Sequence, residues 1–132
     1  MAKQFELKPV TVPAVDTKLR KIKTQLPVPE SIDIIKKLRQ NEPISMSGQP
    51  LVMWDKAEGA TVWDKWGNQW IDWSSGVLIT NAGHNHPKIN KAILDQVNHG
   101  LLTSYCFPND PRAQLAELLV EVTPEELTKA FI

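Results

Sequence analysis

The sequence predicts an α+β chain, a β-hairpin followed by helices, and three observations lead to this fold class. β-branched and aromatic residues are concentrated on both sides of a Gly-Asn turn between residues 60 and 73. Apolar residues recur at helical spacing in stretches that begin at Pro29, Pro87 and Asp110. Prolines and glycines separate these stretches, as is typical of connecting loops. The composition, with 42% hydrophobic and 23% charged residues, is that of an ordinary globular chain.

Residues 1–28 are predicted to form an extended N-terminal arm, separate from a folded segment that comprises residues 29–132. The prolines of this arm fix φ and disfavour helix at the residue before each of them. An extended arm of this kind needs a surface to lie against. The first helix is predicted to begin at Pro29, because proline is favoured in a first helical turn, and to end before Pro43.

The hairpin is the strongest local prediction. The predicted segments of this region are a loop over 43–51, a short strand over 52–54 and hairpin strands over 60–64 and 69–73. A four-residue loop would pair Trp63 with Trp70 and Val62 with Ile71, so that the two tryptophans stack on one face. Cross-strand packing of this kind explains the tryptophans without a ligand. The alternative is that they form a stacking platform for a sugar or a peptide.

Three helical segments are predicted after the hairpin. Residues 74–86 contain few helix formers, so the second helix is expected to begin at Pro87 and to end at Gly100. Asp110 is predicted to cap a third helix, and Thr123 to open a short fourth one. The side chains expected to face inward from the third helix are Leu115, Leu118, Leu119 and Val122. A single hairpin makes a poor sheet and the helices lack a partner surface, which indicates a truncated unit.

Bulk properties exclude some classes of protein. The net charge is zero, so no strong field favours nucleic acid or an anionic membrane. No apolar run approaches the ~20 residues that span a bilayer, and the N-terminus lacks the apolar core of a secretory signal. Cys106 is the only cysteine, which rules out an internal disulfide and fits a reducing compartment. We therefore expect a cytoplasmic location.

Isolated chemical motifs do not define an activity. His84 and His86 are candidates for a metal pair, but no further ligand follows at the spacing of a zinc site. The preferred interpretation is that Asn85 or His86 caps the helix that begins at Pro87. Cys106 is compatible with a nucleophile or with a small buried hydrophobe. The glycine spacing matches no phosphate-binding loop.

A compound pattern runs from the hairpin to the second helix. Its parts, in order, are Gly59-Ala60, Trp63-Asp64, Gly67-Asn68, Ile71-Asp72, Ser75-Gly76 and Asn81-x-Gly83-His84-x-His86-Pro87. This pattern resembles the N-terminal region of the class-III pyridoxal-phosphate aminotransferases, which include the 4-aminobutyrate, ornithine and acetylornithine enzymes. The resemblance covers roughly residues 50–131.

This resemblance implies the N-terminal part of a fold-type I transferase, whose full-length fold is α/β. Residues 29–132 would then be the N-terminal segment of the small domain together with the start of the large domain. The resemblance also implies a homodimer with active sites at the subunit interface. The implied reaction moves an amino group from an ω-amine such as 4-aminobutyrate to an oxo acid such as 2-oxoglutarate, with pyridoxal phosphate as electron sink.

Two groups of site residues follow from the resemblance. The residues that match a loop lining the substrate entrance are Ser75, Gly76 and Val77, the last at a position that gates substrate length. The residues that match a turn approaching the cofactor are Ser104, Tyr105 and Cys106. Other matched positions, among them Gly83 and His84, are interpreted as architectural. No residue of this chain is assigned a catalytic role.

The main cofactor-binding parts of the family do not match any segment of this sequence. The Gly-Ser/Thr-Glu-Ala segment that holds the phosphate is expected shortly after Ile132. The carboxylate-binding arginine, the ring-stacking aromatic, the aspartate at the pyridinium nitrogen and the cofactor-binding lysine are expected later. Lys88 and Lys91 lie outside any matching motif. The 132-residue chain alone is therefore predicted to be an inactive fragment, and the alternative is a non-catalytic Trp-rich interaction module.

Overall fold

The computed structural model describes residues 4–132, apart from the side chain of Ser47, so the first three residues of the predicted arm lie outside it. The chain divides into an N-terminal unit, up to Ile89, and a C-terminal unit, from Asn90. The strands are β1 (Val15–Asp16), β2 (Lys21–Ile22), β3 (Lys56–Glu58), β4 (Thr61–Trp63) and β5 (Gln69–Ile71). The helices are α1 (Ile32–Asn41), α2 (Ser75–Leu78), α3 (Pro87–His99) and α4 (Asp110–Glu121), with 3-10 turns at Pro29–Ser31 and Ile44–Gly48. The predicted α+β class is confirmed.

The five strands form one antiparallel sheet in the order β1-β2-β5-β4-β3. The arm supplies β1 and β2, and Lys21 pairs with Gln69 of the hairpin. The surface against which the arm lies is therefore the free edge of β5. The prediction of a strand over 52–54 is wrong, because the strand that pairs with β4 is β3. The predicted loop over 43–51 contains a 3-10 turn.

The hairpin forms where it was predicted, but the predicted register is wrong by one residue. Val62 pairs with Trp70, and Trp63 pairs with Gln69. The cause is the Asp64 carboxylate, whose Oδ1 accepts from the backbone N–H groups of Trp66 at 2.9 Å and Asn68 at 2.8 Å, which closes a five-residue loop. Since a slip of one residue moves a side chain to the other face, Trp63 and Trp70 do not stack on each other. Trp63 instead lies under the Lys56 ammonium, 5.4 Å from its ring centroid.

Asn68 fastens the arm to the hairpin. Its side chain is fully buried; Oδ1 accepts from the backbone N–H of Lys23 at 2.7 Å, and Nδ2 donates to Thr24 Oγ1 at 2.8 Å and to Asp64 Oδ2 at 2.7 Å. The buried apolar residues among those described belong to the same unit and are Ile22, Val28, Ile35 and Val62. The small core of the N-terminal unit thus includes residues from the arm, α1 and the hairpin.

The C-terminal unit contains most of α3, and α4. The predicted helix at Pro87 is confirmed, whereas the cap of α4 is Asn109, one residue before the predicted Asp110. The prediction of a fourth helix at Thr123 is wrong. The Thr123 hydroxyl donates back to the Leu119 carbonyl at 2.9 Å instead of capping a new helix. The predicted inward stripe of α4 is also wrong, because nothing in this unit covers Leu115, Leu118 and Val122, which are exposed.

Candidate functional site

The segment after β5 forms a left-handed helical turn, α2, which is named here the left-handed turn. Its four residues have φ values of 52° at Ser75, 60° at Gly76, 63° at Val77 and 66° at Leu78. Left-handed helix costs about 1–2 kcal/mol for each residue with a side chain, and a β-branched residue such as Val77 rarely adopts it. The sequence predicts a loop here, and only Gly76 signals positive φ. Surrounding contacts therefore have to hold this turn in place.

Asp72 supplies the first of these contacts. Its Oδ2 accepts from the backbone N–H of Gly76 at 2.6 Å, inside the turn. Its Oδ1 accepts from Ser74, from the backbone N–H at 2.9 Å and from the hydroxyl at 2.7 Å. The backbone N–H of Asp72 itself donates to the carbonyl of Ala60 at 2.8 Å, which anchors this residue to the hairpin. One carboxylate thus connects the end of the sheet to the middle of the turn.

His84 supplies the second contact. Its Nε2 lies 2.7 Å from Asp72 Oδ2, and only 14% of the His84 side chain and 2% of the Asp72 side chain are exposed. Because an ionised carboxylate only accepts hydrogen bonds, the imidazole has to carry its proton on Nε2. The Trp54 ring lies edge-on against the imidazole with 5.6 Å between ring centroids. The backbone of His84 exchanges two hydrogen bonds with Gly59, at 2.9 and 2.8 Å.

Burial and hydrogen bonding act in opposite directions on Asp72. Desolvation raises the pKa of this carboxyl group, but the hydrogen bonds from His84, Ser74 and Gly76 together outweigh it and hold the pKa well below its usual range. Asp72 is therefore ionised across the physiological range. Its contribution to stability is complete above the ordinary pKa of 3.8 and is lost as the pH falls further towards the lower pKa of the folded state.

Replacing Asp72 with asparagine is expected to remove the part of the folding stability that depends on an ionised Asp72. The asparagine side chain would present an amide group to several N–H donors, so the variant should be less stable than the wild type at about pH 6 and should lose less additional stability towards pH 2. Urea unfolding followed by tryptophan fluorescence between these pH values measures the difference. Asp33→Asn is the control, because the Asp33 carboxylate is exposed and pairs with the exposed Lys36 at 3.2 Å. Parallel pH profiles for the wild type and Asp72→Asn would contradict the role of the carboxylate.

The predicted entrance residues Ser75, Gly76 and Val77 lie together in the left-handed turn. A surface cavity of about 340 Å³ adjoins the turn and is lined by residues that include Asp72, Ser75 and Gly83. Val77 and Leu78 are 70% and 82% exposed. Sequence reasoning did not identify Asp72, and it considered His84 only as a candidate metal ligand or an architectural residue, although both residues lie in the compound pattern. The available signal was an aspartate four residues before a glycine that needs positive φ.

The other predicted group, Ser104, Tyr105 and Cys106, lies in the C-terminal unit. Ser104 Oγ accepts from Asn109 Nδ2 at 2.6 Å, and Asn109 Oδ1 in turn accepts from the backbone N–H of Arg112 at the start of α4. Tyr105 has φ of 48°, and its carbonyl accepts from Arg112 Nη1 at 2.8 Å. Tyr105 and Cys106 are exposed. The three residues form one turn in front of α4, held by Asn109 and Arg112.

The described residues contain no group of three or more histidine, cysteine, aspartate or glutamate side chains that could hold a metal ion. His84, one of the two candidate metal ligands, bonds to Asp72 instead. Over the same part of the chain, every helix is too short or too polar to cross a membrane.

Comparison with known proteins identifies the family. The sequence signature described as Aminotransferase class-III matches residues 44–132, which is most of the chain. This chain therefore belongs to the class-III aminotransferases, enzymes that use pyridoxal phosphate, and the resemblance carried by the compound pattern is confirmed.

Curated relatives agree with this family. Acetylornithine aminotransferase of Methanopyrus kandleri is 40% identical over 74 residues, which are 56% of this chain and 19% of that protein. Acetylornithine aminotransferase of Methanothermobacter thermautotrophicus is 34% identical over 97 residues, 74% of this chain and 25% of that protein. A 5-aminovalerate aminotransferase of Pseudomonas aeruginosa is 36% identical over 81 residues, 59% of this chain and 18% of that protein. The chain thus spans a quarter or less of the length of these relatives.

One solved structure shares the fold. It is the taurine:2-oxoglutarate aminotransferase of Bifidobacterium kashiwanohense in complex with PLP and glutamate. The likeness has a TM-score of 0.58 at 27% identity and covers 68% of this chain and 21% of that one. The predicted fold, the N-terminal part of a pyridoxal-phosphate transferase, is thereby confirmed.

The described residues do not fit pyridoxal phosphate as a complete site. A complete site needs a lysine for the aldehyde and free donors for the phosphate. Lys91 is exposed and pairs with Asp95 at 2.6 Å, and Arg112, the cation beside the Tyr105 turn, donates to a backbone carbonyl.

Proposed function

We propose that the protein containing this chain transfers an amino group from a terminal amine, such as 4-aminobutyrate, to an oxo acid such as 2-oxoglutarate. Within that protein, the chain would supply the entrance for the amine, at Ser75, Gly76 and Val77. The observation that carries this assignment is the left-handed turn, which Asp72 and His84 hold while Val77 and Leu78 remain exposed. Fixed backbone with exposed apolar side chains suits a surface that selects substrates by length.

The names of the relatives support a terminal amine as the amino donor and 2-oxoglutarate as the amino acceptor. Acetylornithine, 5-aminovalerate and taurine, which appear in those names, each carry a primary amine on a terminal carbon. The name of the structural neighbour contains 2-oxoglutarate, and that protein is bound to glutamate, the amino form of this acid. The choice of 4-aminobutyrate among the terminal amines is part of the proposal.

When bound, pyridoxal phosphate would supply the electron sink of the transfer. The turn formed by Ser104, Tyr105 and Cys106 is proposed to approach the cofactor without holding it. The 132-residue chain alone is proposed to be inactive, because its described lysines are not built into a cofactor site.

We also propose a cytoplasmic homodimer. Exposed apolar side chains such as Trp73 and Leu102 favour burial against further protein, either another part of the same polypeptide or a second subunit. The single thiol, Cys106, fits the reducing environment of the cytoplasm. The mass of the purified protein in solution tests the dimer.

The activity is tested on the full-length protein that carries this sequence. Glutamate formation from 2-oxoglutarate is measured with 4-aminobutyrate, 5-aminovalerate, N-acetylornithine and taurine as donors, in the presence of pyridoxal phosphate. At least one donor is expected to yield glutamate in a 1:1 ratio to the donor consumed. If none of these amines, nor a wider panel of amino donors, is consumed, the proposal is wrong.

Replacing Val77 with tyrosine is expected to change the ranking of the amines and to leave cofactor affinity unchanged. The larger side chain should shorten the space for the substrate, so kcat/KM for 5-aminovalerate should fall about tenfold relative to taurine, the effect typical of about one methylene in an apolar pocket. Val10→Tyr makes the same change at a half-exposed position outside the turn and serves as control. An unchanged ranking would count against placing Val77 at the entrance.

A further inference from the structure

The left-handed turn cannot be explained by its own sequence. Ser75, Val77 and Leu78 all have positive φ although each has a side chain, and the bonds within the turn are ordinary backbone hydrogen bonds such as Leu78 N–H to Ser74 O at 2.8 Å. Strained backbone of this kind persists only where surrounding groups over-determine it, and it is often found at functional sites. The surrounding side chains in this structure include Asp72, His84 and Ser74, whose Oγ accepts from the Val77 N–H at 3.4 Å.

A continuous path of hydrogen bonds connects the sheet to the turn. Gly59, between β3 and β4, holds the backbone of His84. The His84 imidazole holds Asp72 Oδ2, and the same oxygen accepts from Gly76 N–H. The path ends at Gly76, the residue before Val77. The Val77 N–H donates to Ser74 Oγ, which in turn donates to Asp72 Oδ1, so Asp72 constrains the backbone on both sides of the Gly76–Val77 peptide.

A change in the orientation of the Gly76 peptide moves Val77. Neighbouring Cα atoms are about 3.8 Å apart, so a rotation of about 30° about an axis perpendicular to the line between the Gly76 and Val77 Cα atoms displaces the Val77 Cα by about 2 Å. A displacement of that size exceeds the length that one methylene adds to a substrate. An apolar pocket discriminates one methylene by about tenfold or more.

We infer that Asp72 and His84 are positioning residues that set the amine chain-length preference of the enzyme by fixing the left-handed turn. The inference rests on the proposed function and adds to it the source of selectivity. His84 touches no substrate in this assignment, and it acts through Asp72 and Gly76.

The test compares three variants of the full-length protein. His84→Gln places an amide nitrogen where Nε2 donates to Asp72, whereas the amide of His84→Asn is too short to reach the same position. His99→Asn makes the matched change at an exposed residue in the last turn of α3. For each protein, kcat/KM is measured for 4-aminobutyrate and 5-aminovalerate. Hydrogen exchange is measured in parallel on peptides that cover residues 72–84.

His84→Asn is expected to change the ratio of the two kcat/KM values about tenfold and to speed exchange at Gly76 and Val77. His84→Gln should restore the ratio to within about twofold of the wild type, since it keeps the donor. His99→Asn should change neither quantity. A role in general folding alone would lower the amount of active enzyme without changing the ratio.

Two results would overturn the inference. One is faster hydrogen exchange in His84→Asn with an unchanged ratio of the two kcat/KM values. Asp72 and His84 would then stabilise the left-handed turn without affecting substrate preference. The other is an equal change of the ratio in the asparagine and glutamine variants. The wild-type assay tests the proposed function separately from the variants. If the wild-type protein transfers no amino group, the proposed function is wrong and so is the inference that rests on it.

Discussion

Replacing Asn68 with alanine is expected to release the N-terminal arm from the hairpin and to lower the free energy of opening this region by about 3 kcal/mol. The Asn68 side chain is fully buried and makes three hydrogen bonds, to Lys23, Thr24 and Asp64. Its removal leaves the Lys23 N–H without an acceptor and the buried Asp64 Oδ2 without this donor. An unpartnered buried polar group costs about 1–3 kcal/mol, and a charged one costs more.

Hydrogen exchange on the full-length protein measures this effect locally. A change of about 3 kcal/mol corresponds to roughly 100-fold faster exchange at the amides of β1 and β2. Trypsin should also cleave faster after Lys21 and Lys23, because cleavage requires the arm to leave the sheet. Asn41→Ala is the control, since Asn41 is exposed and its side chain donates to the carbonyl of Lys37. Equal exchange rates in the two variants would show that Asn68 does not hold the arm.

Asn68→Asp separates the contribution of side-chain volume at this position from that of the hydrogen bonds that the amide donates. The substitution keeps the volume of the side chain but replaces the donor by a carboxylate oxygen next to Asp64 Oδ2, which is now 2.7 Å from Nδ2. Two carboxylates at this distance repel each other, so one of them has to take up a proton. This variant is expected to release the arm at neutral pH and to recover part of its order in mild acid. A variant as stable as the wild type at both pH values would contradict this account.

The sequence predicted those elements that have local signals. Pro29 and Pro43 bracket α1, and Pro87 and Gly100 bracket α3. Proline starts or stops a helix because its φ is fixed and it has no N–H, and Gly100 ends α3 because glycine readily adopts the positive φ found there. The hairpin followed from β-branched and aromatic residues around a turn. These elements could be located without knowing what they contact.

Elements that depend on distant partners were not predictable in this way. β1 and β2 have two residues each and exist because Asn68 and Gln69, more than 40 residues away, bind this part of the arm. The register of the hairpin depends on the Asp64 side chain, which replaces a ladder bond in the loop. Both features come from side-chain hydrogen bonds, which no periodicity of apolar residues encodes.

The candidate site was predictable in part. The resemblance selected Ser75, Gly76 and Val77, but it gave no reason for their conformation. That reason is the contact between Asp72 and His84, which are twelve residues apart in sequence and meet only because Gly59 holds the backbone of His84. His84 was interpreted as architectural, and its bond to Asp72 connects this architecture with the proposed entrance.

Replacing Gly83 with alanine is expected to destabilise the protein more than replacing Gly100 with alanine, although both glycines have the same φ of +86°. Either substitution incurs the cost of positive φ in a residue with a Cβ atom, about 1–2 kcal/mol. At Gly100 the added Cβ meets nothing within 4 Å. At Gly83 it would lie 3.2 Å from the Cα of Gly59, a backbone atom that can yield only if the strand connection moves.

The difference between the two variants therefore measures the close approach of two backbones at the site. We expect Gly83→Ala to cost about 1 kcal/mol beyond Gly100→Ala and to speed hydrogen exchange at the amides of Gly59 and His84, which bond to each other's carbonyl groups. Gly100→Ala should leave those two amides unchanged. Since the same backbone pair holds the His84 imidazole against Asp72, Gly83→Ala should also change the ratio of kcat/KM between amines in the direction of His84→Asn. Slower or unchanged exchange at the Gly59 amide in Gly83→Ala would mean that the contact between Gly83 and Gly59 tolerates a methyl group. The left-handed turn would then be stabilised by other contacts.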